Sequence, residues 1–239
     1  MVVALGLGFG FSGSIGDFLS RTVSASMSQL EEMTREPVAQ VYAGNPVVIK
    51  VDYHKQNISL PELVERYQEN NKVLPLERTL VIHKFTHTLG AYLNKTLLKQ
   101  YPVAFGRNPN GDKVREGDKR TPEGEFFVTG KRPKNRYHKA IDLSYPGLEA
   151  ASKGLESGLI TQRQHDAITR AYSRCVKPPQ NTELGSYIQI HGGGAYPRVH
   201  DWTDGCVAME NEDIEEIYWF VGKGCKSGIS QTRVLILSD

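Results

Sequence analysis

The stretch Tyr187-Ile188-Gln189-Ile190-His191, followed at once by Gly192-Gly193-Gly194, decides how this chain is read. Alternating β-branched residues make 187–191 a strand, and the glycines end it. Fifteen positions after His191 comes Cys206, within Asp201-Trp202-Thr203-Asp204-Gly205-Cys206-Val207-Ala208. A loop of that length lets a strand end and a later turn meet. The thiolate is the nucleophilic form of cysteine, and a neighbouring imidazole can take the thiol proton and return it to a leaving amine. Cys206 is therefore the candidate nucleophile and His191 its candidate base. Gly205 permits close backbone approach before the thiol, so the N–H groups of Gly205 and Cys206 are candidate oxyanion donors. The Gly192 carbonyl is a candidate to orient the imidazole in place of an acidic third group. Taken singly, each residue has a bland reading, since a lone cysteine is ordinarily a small core hydrophobe. His200 is a rival base, nearer to Cys206 in sequence, but no strand leads into it and no glycine follows it.

Outward from this stretch the chain reads as strands. Leu80-Val81-Ile82 and the alternating Leu89, Ala91 and Leu93 are two of them, Asn94-Lys95 turns, and 96–105 returns, giving an antiparallel meander. A polar loop, 106–124, leads to a strand at 125–129, and 140–143 is a further one. Thr161 with Gln164 forms a capping box within a helical insertion at 146–174, expected to cap the groove. Pro178-Pro179 ends it. Asn211-Glu212-Asp213 caps a helix over 213–221, and 232–237 closes as a strand. The fold class is mainly β, a curved sandwich or open barrel with a helical insertion and a helix after Cys206. Ser59 caps a short helix containing Pro61, Leu63, Val64 and Tyr67. The expected division is a signal or anchor segment over 1–26, an appendage over 27–76 and a catalytic domain over 77–239.

The 239 residues carry a net charge of +2, too little to point to nucleic acid. Basic residues crowd 107–139, which reads either as a solvated loop face or as a surface for an anionic polymer. Of three cysteines, Cys206 is the free one if Cys175 pairs with Cys225; two unrelated buried thiols are an equal alternative. Val2 to Phe11 has the length of a signal core and Val23-Ser24-Ala25 is like a cleavage site, although no basic residue precedes the run. No later stretch reads as a membrane span, and no metal-ligand spacing is present among the histidines.

His191-Gly192 and the box Thr203-Asp204-Gly205-Cys206 together resemble the L,D-transpeptidase family, also called the YkuD domain. The loop from Lys113 to Gly124, with Thr121-Pro122-Glu123-Gly124, is similar too, and the likeness spans about 79–237. The resemblance implies attack by Cys206 on the third-residue carbonyl of a peptidoglycan stem peptide, expulsion of terminal D-alanine, and a thioester resolved by an amine. It implies no cofactor and a place in the periplasm or cell envelope. The chain departs from the commoner box, with Asp204 where histidine is usual and Ala208 where asparagine or arginine is. The Asp201-Trp202-Thr203 lead resembles a Gram-negative subgroup, some members of which are similar to enzymes that release a wall-anchored lipoprotein. Resolution by water, as a carboxypeptidase or amidase, is therefore the alternative. Trp202, Thr203 and Asp204 are candidate substrate residues; Trp202 reads equally as packing, and Asp204 equally as a turn former.

Overall fold

The computed structural model describes residues 58–71, 76–194, 200–224 and 232–238. The expected leader, most of the expected appendage and Cys225 lie outside them. The described elements are α1 (Leu60–Asn70), β1 (Arg78–His83), β2 (Thr88–Leu93), β3 (Thr96–Pro102), β4 (Gly124–Asn135), β5 (His138–Leu143), α2 (Leu148–Glu156), α3 (Gln162–Ser173), β6 (Gln189–His191), β7 (Val207–Ala208), α4 (Asn211–Phe220) and β8 (Thr232–Leu237). The class is mainly β, with the insertion (α2, α3) and a helix after Cys206, as the sequence indicated.

The described strands form one sheet in the order β3-β2-β1-β8-β4-β5-β6-β7. The first three make the antiparallel meander, turning at Asn94 and Lys95, whose φ values of 48° and 71° suit a two-residue hairpin. The last strand runs parallel to β1 and antiparallel to β4, so it joins the meander to the rest. One apolar core runs under the sheet, from Leu60 and Val64 of α1 through Leu80, Leu89, Ile141, Ile190 and Val207 to Ile214, Ile217 and Phe220 of α4. Each large side chain buried there contributes about 1.5–3 kcal/mol. A smaller cluster of Ala151, Ile160, Ile168 and Leu184 holds the insertion together, and the Thr161–Gln164 capping box opens α3.

Three expectations change. The strand into His191 begins at Gln189, not Tyr187, because Tyr187 takes a left-handed φ of 52° and gives its N–H to Gln180 Oε1 at 2.7 Å. The strand expected at 125–129 continues to Asn135, carrying Lys131, Arg132 and Lys134 onto β4, while Lys113 is only 4 % exposed. The basic stretch is thus no uniform solvated loop. Finally, α4 begins at Asn211 without a side-chain cap, because Asn211 Oδ1 instead accepts the Gly193 N–H at 2.8 Å.

Candidate active site

Strands β6 and β7 lie side by side and parallel, Ile190 opposite Val207 and His191 opposite Ala208. Side chains alternate across a sheet. Ile190 and Val207 go into the core, so Gln189, His191, Cys206 and Ala208 share the other face. The register carried back one residue sets Cys206 opposite Gln189. The thiol and the imidazole are therefore diagonal neighbours on adjacent strands, the separation at which longer side chains on one face still reach each other.

His191 is 1 % exposed. Its ring stacks on Tyr137, centroids 4.5 Å apart and 17° from parallel, and meets Trp202 edge-on at 5.7 Å. Nδ1 lies 2.7 Å from the Gly192 carbonyl. A carbonyl only accepts, so Nδ1 carries the proton and Nε2 is left as the basic lone pair. Gly192 is required by crowding: a Cβ there would come within 2.7 Å of Asn211 Oδ1 and 2.8 Å of the Tyr137 carbonyl. Burial pulls the His191 pKa below its ordinary 6.5, with Arg136 adding to this and the Gly192 bond opposing it. The ring is neutral at neutral pH.

The turn before Cys206 is built around Thr203. Its hydroxyl donates to the Cys206 carbonyl at 2.7 Å and accepts the Gly205 N–H at 3.1 Å. Thr203 is 4 % exposed, and its backbone is laced to Phe105 and Arg107. Thr203 shapes the turn, its one hydroxyl proton committed to the Cys206 carbonyl. Gly205 does not offer a free oxyanion donor, because its N–H is already taken, which leaves the Cys206 N–H as the candidate in this turn. Gly205 is needed for another reason. At φ +135°, an added Cβ would lie 2.7 Å from the Arg120 carbonyl. The polar loop thus runs directly beneath the Cys206 turn. Asp118 ties that loop together, accepting from Lys113 Nζ at 2.7 Å and from the N–H groups of Val114, Arg115 and Arg120. Burial alone would raise the Asp118 pKa, but these bonds hold it below the usual carboxylate range.

The Cys206 side chain is partly exposed and its thiol points at the Tyr187 carbonyl, 3.5 Å away. Surrounding protein pushes its pKa up to about 11; a backbone hydrogen bond from Gln189 opposes this, Asp204 adds to it, and Lys113 counters it. A protonated thiol beside a neutral imidazole is the resting state.

The remaining sequence candidates divide. Trp202 packs edge-on to both Tyr137 (5.4 Å) and His191. Asp204 is exposed and paired with Arg107 at 2.9 Å; an exposed pair of this kind contributes about 0–1 kcal/mol. His200 is exposed, and the neighbouring Asp201 is occupied by His87 at 3.2 Å and the Phe105 N–H at 2.7 Å. Sequence reasoning missed Tyr137 and Gln189, which touch the two central residues. Nothing local marks Tyr137, whereas the alternation that puts Gln189 on the face of His191 was legible. Cys175 is disulfide-bonded.

Residues 77–236 match the model of the YkuD family, described as the L,D-transpeptidase catalytic domain. The protein named "Putative L,D-transpeptidase YafK" from Escherichia coli strain K12 is 26 % identical over 190 residues, and so is its counterpart from Escherichia coli O157:H7. The match takes in 79 % of this chain but only 58 % of those relatives. Among solved structures, the helical cell shape determining protein Pgp2 of Campylobacter jejuni aligns at TM-score 0.43 and 20 % identity, over 68 % of this chain and 48 % of that one. An L,D-transpeptidase of Mycobacterium tuberculosis aligns at 0.40 and 13 %, over 68 % of this chain and 58 % of that one.

Proposed function

This chain belongs to the YkuD family of L,D-transpeptidase catalytic domains, and from that premise we propose that it is a peptidoglycan L,D-transpeptidase of the cell envelope, with Cys206 as nucleophile and His191 as base. The observation that carries the reading is the shared sheet face of Cys206 and His191, together with the imidazole held by Gly192 so that Nε2 stays unprotonated.

The reaction follows from those two features. Rotation about χ1 swings Sγ from the Tyr187 carbonyl toward the imidazole; resting catalytic hydrogen bonds commonly tighten only when substrate arrives. The thiol proton passes to His191 Nε2 as sulfur attacks the third-residue carbonyl of a stem peptide. The resulting oxyanion lies near the Cys206 N–H. Collapse of the tetrahedral species breaks the peptide bond, and the departing D-alanine amine takes the proton from His191. A thioester remains. The amine of a second stem, deprotonated by the now neutral His191, attacks it and frees the thiol. Tyr137 and Trp202 exclude water from one side of the imidazole and wall the peptide cleft. Gly205 and Gly192 permit the close backbone packing that aims the two groups. The disulfide at Cys175 supports an oxidising compartment such as the periplasm.

The test is incubation with disaccharide-tetrapeptides, followed by mass spectrometry. Transfer yields D-alanine release, a thioester on Cys206 and cross-linked dimers. Release without dimers at any acceptor concentration would reject transfer and leave a hydrolase. Digestion of sacculi bearing the anchored lipoprotein then separates a carboxypeptidase from a lipoprotein-releasing amidase.

A further inference from the structure

On the face that carries Cys206, one row of residues crosses four strands. Gly130 on β4 is opposite Asp142 on β5, Asp142 is opposite Gln189 on β6, and the β6–β7 register, carried back one residue beyond its two pairs, brings Gln189 to Cys206. Gly130 has no side chain to give; a Cβ there would lie 2.8 Å from Asp142 Oδ2. Asp142 fills that space and becomes the hub of a charged cluster. It accepts from Arg132 Nε at 3.0 Å and Nη2 at 3.1 Å, from Lys177 Nζ at 3.2 Å, and from the Gln189 amide. Two cations thus share one carboxylate, leaving a surplus positive charge. The carboxylate is buried, but side-chain exposure is 44 % for Arg132 and 29 % for Lys177, so the surplus is open to solvent. Tyr187 places the cluster beside the thiol independently. Its carbonyl is the thiol's partner, and Lys177 Nζ stands 4.7 Å from its ring centroid. Tyr187 is held in its left-handed conformation by Gln180; such strain is concentrated where a group must be presented at a site.

Resting on the transpeptidase reading above, we propose that Arg132 and Lys177 form a carboxylate subsite that binds the free terminal carboxylate of the residue expelled when Cys206 is acylated. Neighbouring strands are about 4.8 Å apart, so Asp142 is roughly 10 Å from Cys206 backbone to backbone, and the two cationic heads gather on its carboxylate. One extended residue spans about 3.5 Å, which carries the carboxylate from a scissile carbonyl on sulfur toward those heads. The bond is charge-assisted, and guanidinium geometry suits a carboxylate. Arg132 and Lys177 are specificity residues in this scheme; they do not touch the reacting carbon.

Two synthetic stem tetrapeptides, identical except for a terminal carboxylate or carboxamide, test this by the rate of thioester formation on intact protein. The wild-type chain is expected to favour the carboxylate by about tenfold or more, the size of one hydrogen bond to a charged group. Lys177→Gln, and separately Arg132→Gln, should bring that ratio close to one by slowing the carboxylate peptide, and Lys177→Arg should restore it. On the unmodified chain, the preference should shrink as salt rises from 0.05 to 0.5 M, a readout that needs no variant to fold. Equal slowing of both peptides, or a wild-type ratio of one with brisk acylation, would overturn the subsite while leaving the transpeptidase reading intact. Failure of wild-type Cys206 to acylate with either peptide would remove that reading, and the subsite with it.

Discussion

The two halves of the sheet are built to different standards. The β3-β2-β1-β8 half is the more regular: six consecutive pairs join β1 to β2 and six join β1 to β8, with a single register shift between β2 and β3, and its inward side chains, Leu80, Ile82, Leu89 and Ile236, are fully buried and apolar. In the β4-β5-β6-β7 half, β4 and β5 shift register twice, β6 and β7 share only two pairs, and the outer face carries Asp142, Gln189, His191 and Cys206. Short, irregular ladders let individual side chains be aimed, at a cost in local stability. The regular half supplies that stability. Substitutions in one half should therefore separate cleanly from those in the other.

The largest separation is expected at the centre of the irregular half. Cys206→Ser or His191→Ala should lower turnover by several orders of magnitude, as for members of one catalytic unit, with the melting temperature little changed. A collapse of the fold alongside activity would break the comparison. In the regular half, Leu89→Ala should cost about 2–5 kcal/mol of stability by denaturant titration, with thioester formation per folded molecule preserved. Thr203→Val should be intermediate in both respects. It strands the Gly205 N–H and the Cys206 carbonyl, costing about 1–3 kcal/mol, and loosens the nucleophile turn, so stability and acylation rate should fall together.

The pH profile sharpens the same contrast. His191 must be neutral to accept a proton, and burial holds its pKa below 6.5. The acid limb of single-turnover acylation should accordingly lie below 6.5, activity rising as pH rises through it. A limb above 6.5 would mean that the imidazole is stabilised in its charged form, against the burial described. The smallest effect belongs to the rim. Asp204→Asn breaks only the exposed pair with Arg107 and should change stability by less than about 1 kcal/mol.

Much of this architecture could be read from the chain, because it rests on local rules. The meander follows from alternation around Asn94-Lys95, the insertion from the Thr161–Gln164 box, and the approach of the His191 strand end to the Cys206 turn from two glycine-flanked motifs. The parts that escaped depend on residues distant in sequence. That Tyr187 leaves the strand is decided by Gln180. Asn211 gives up its capping role because Gly193 comes within reach. Gly205 loses its N–H to a hydroxyl two positions back, and only the folded turn reveals whether that bond or an oxyanion claims it. The stacking of Tyr137 on His191 joins a hairpin tip to a strand end more than fifty residues later, and no spacing announces such a meeting.

The position of β8 has a further consequence, for the order in which the molecule can be assembled. β8 follows the candidate centre in the chain, yet it is the seam between β1 and β4. A nascent chain can therefore possess every residue from Tyr137 through Cys206 and still lack the strand that unites the two halves of the sheet. The two halves can become one sheet only once β8 has been made, so the closing contact is one of long sequence range.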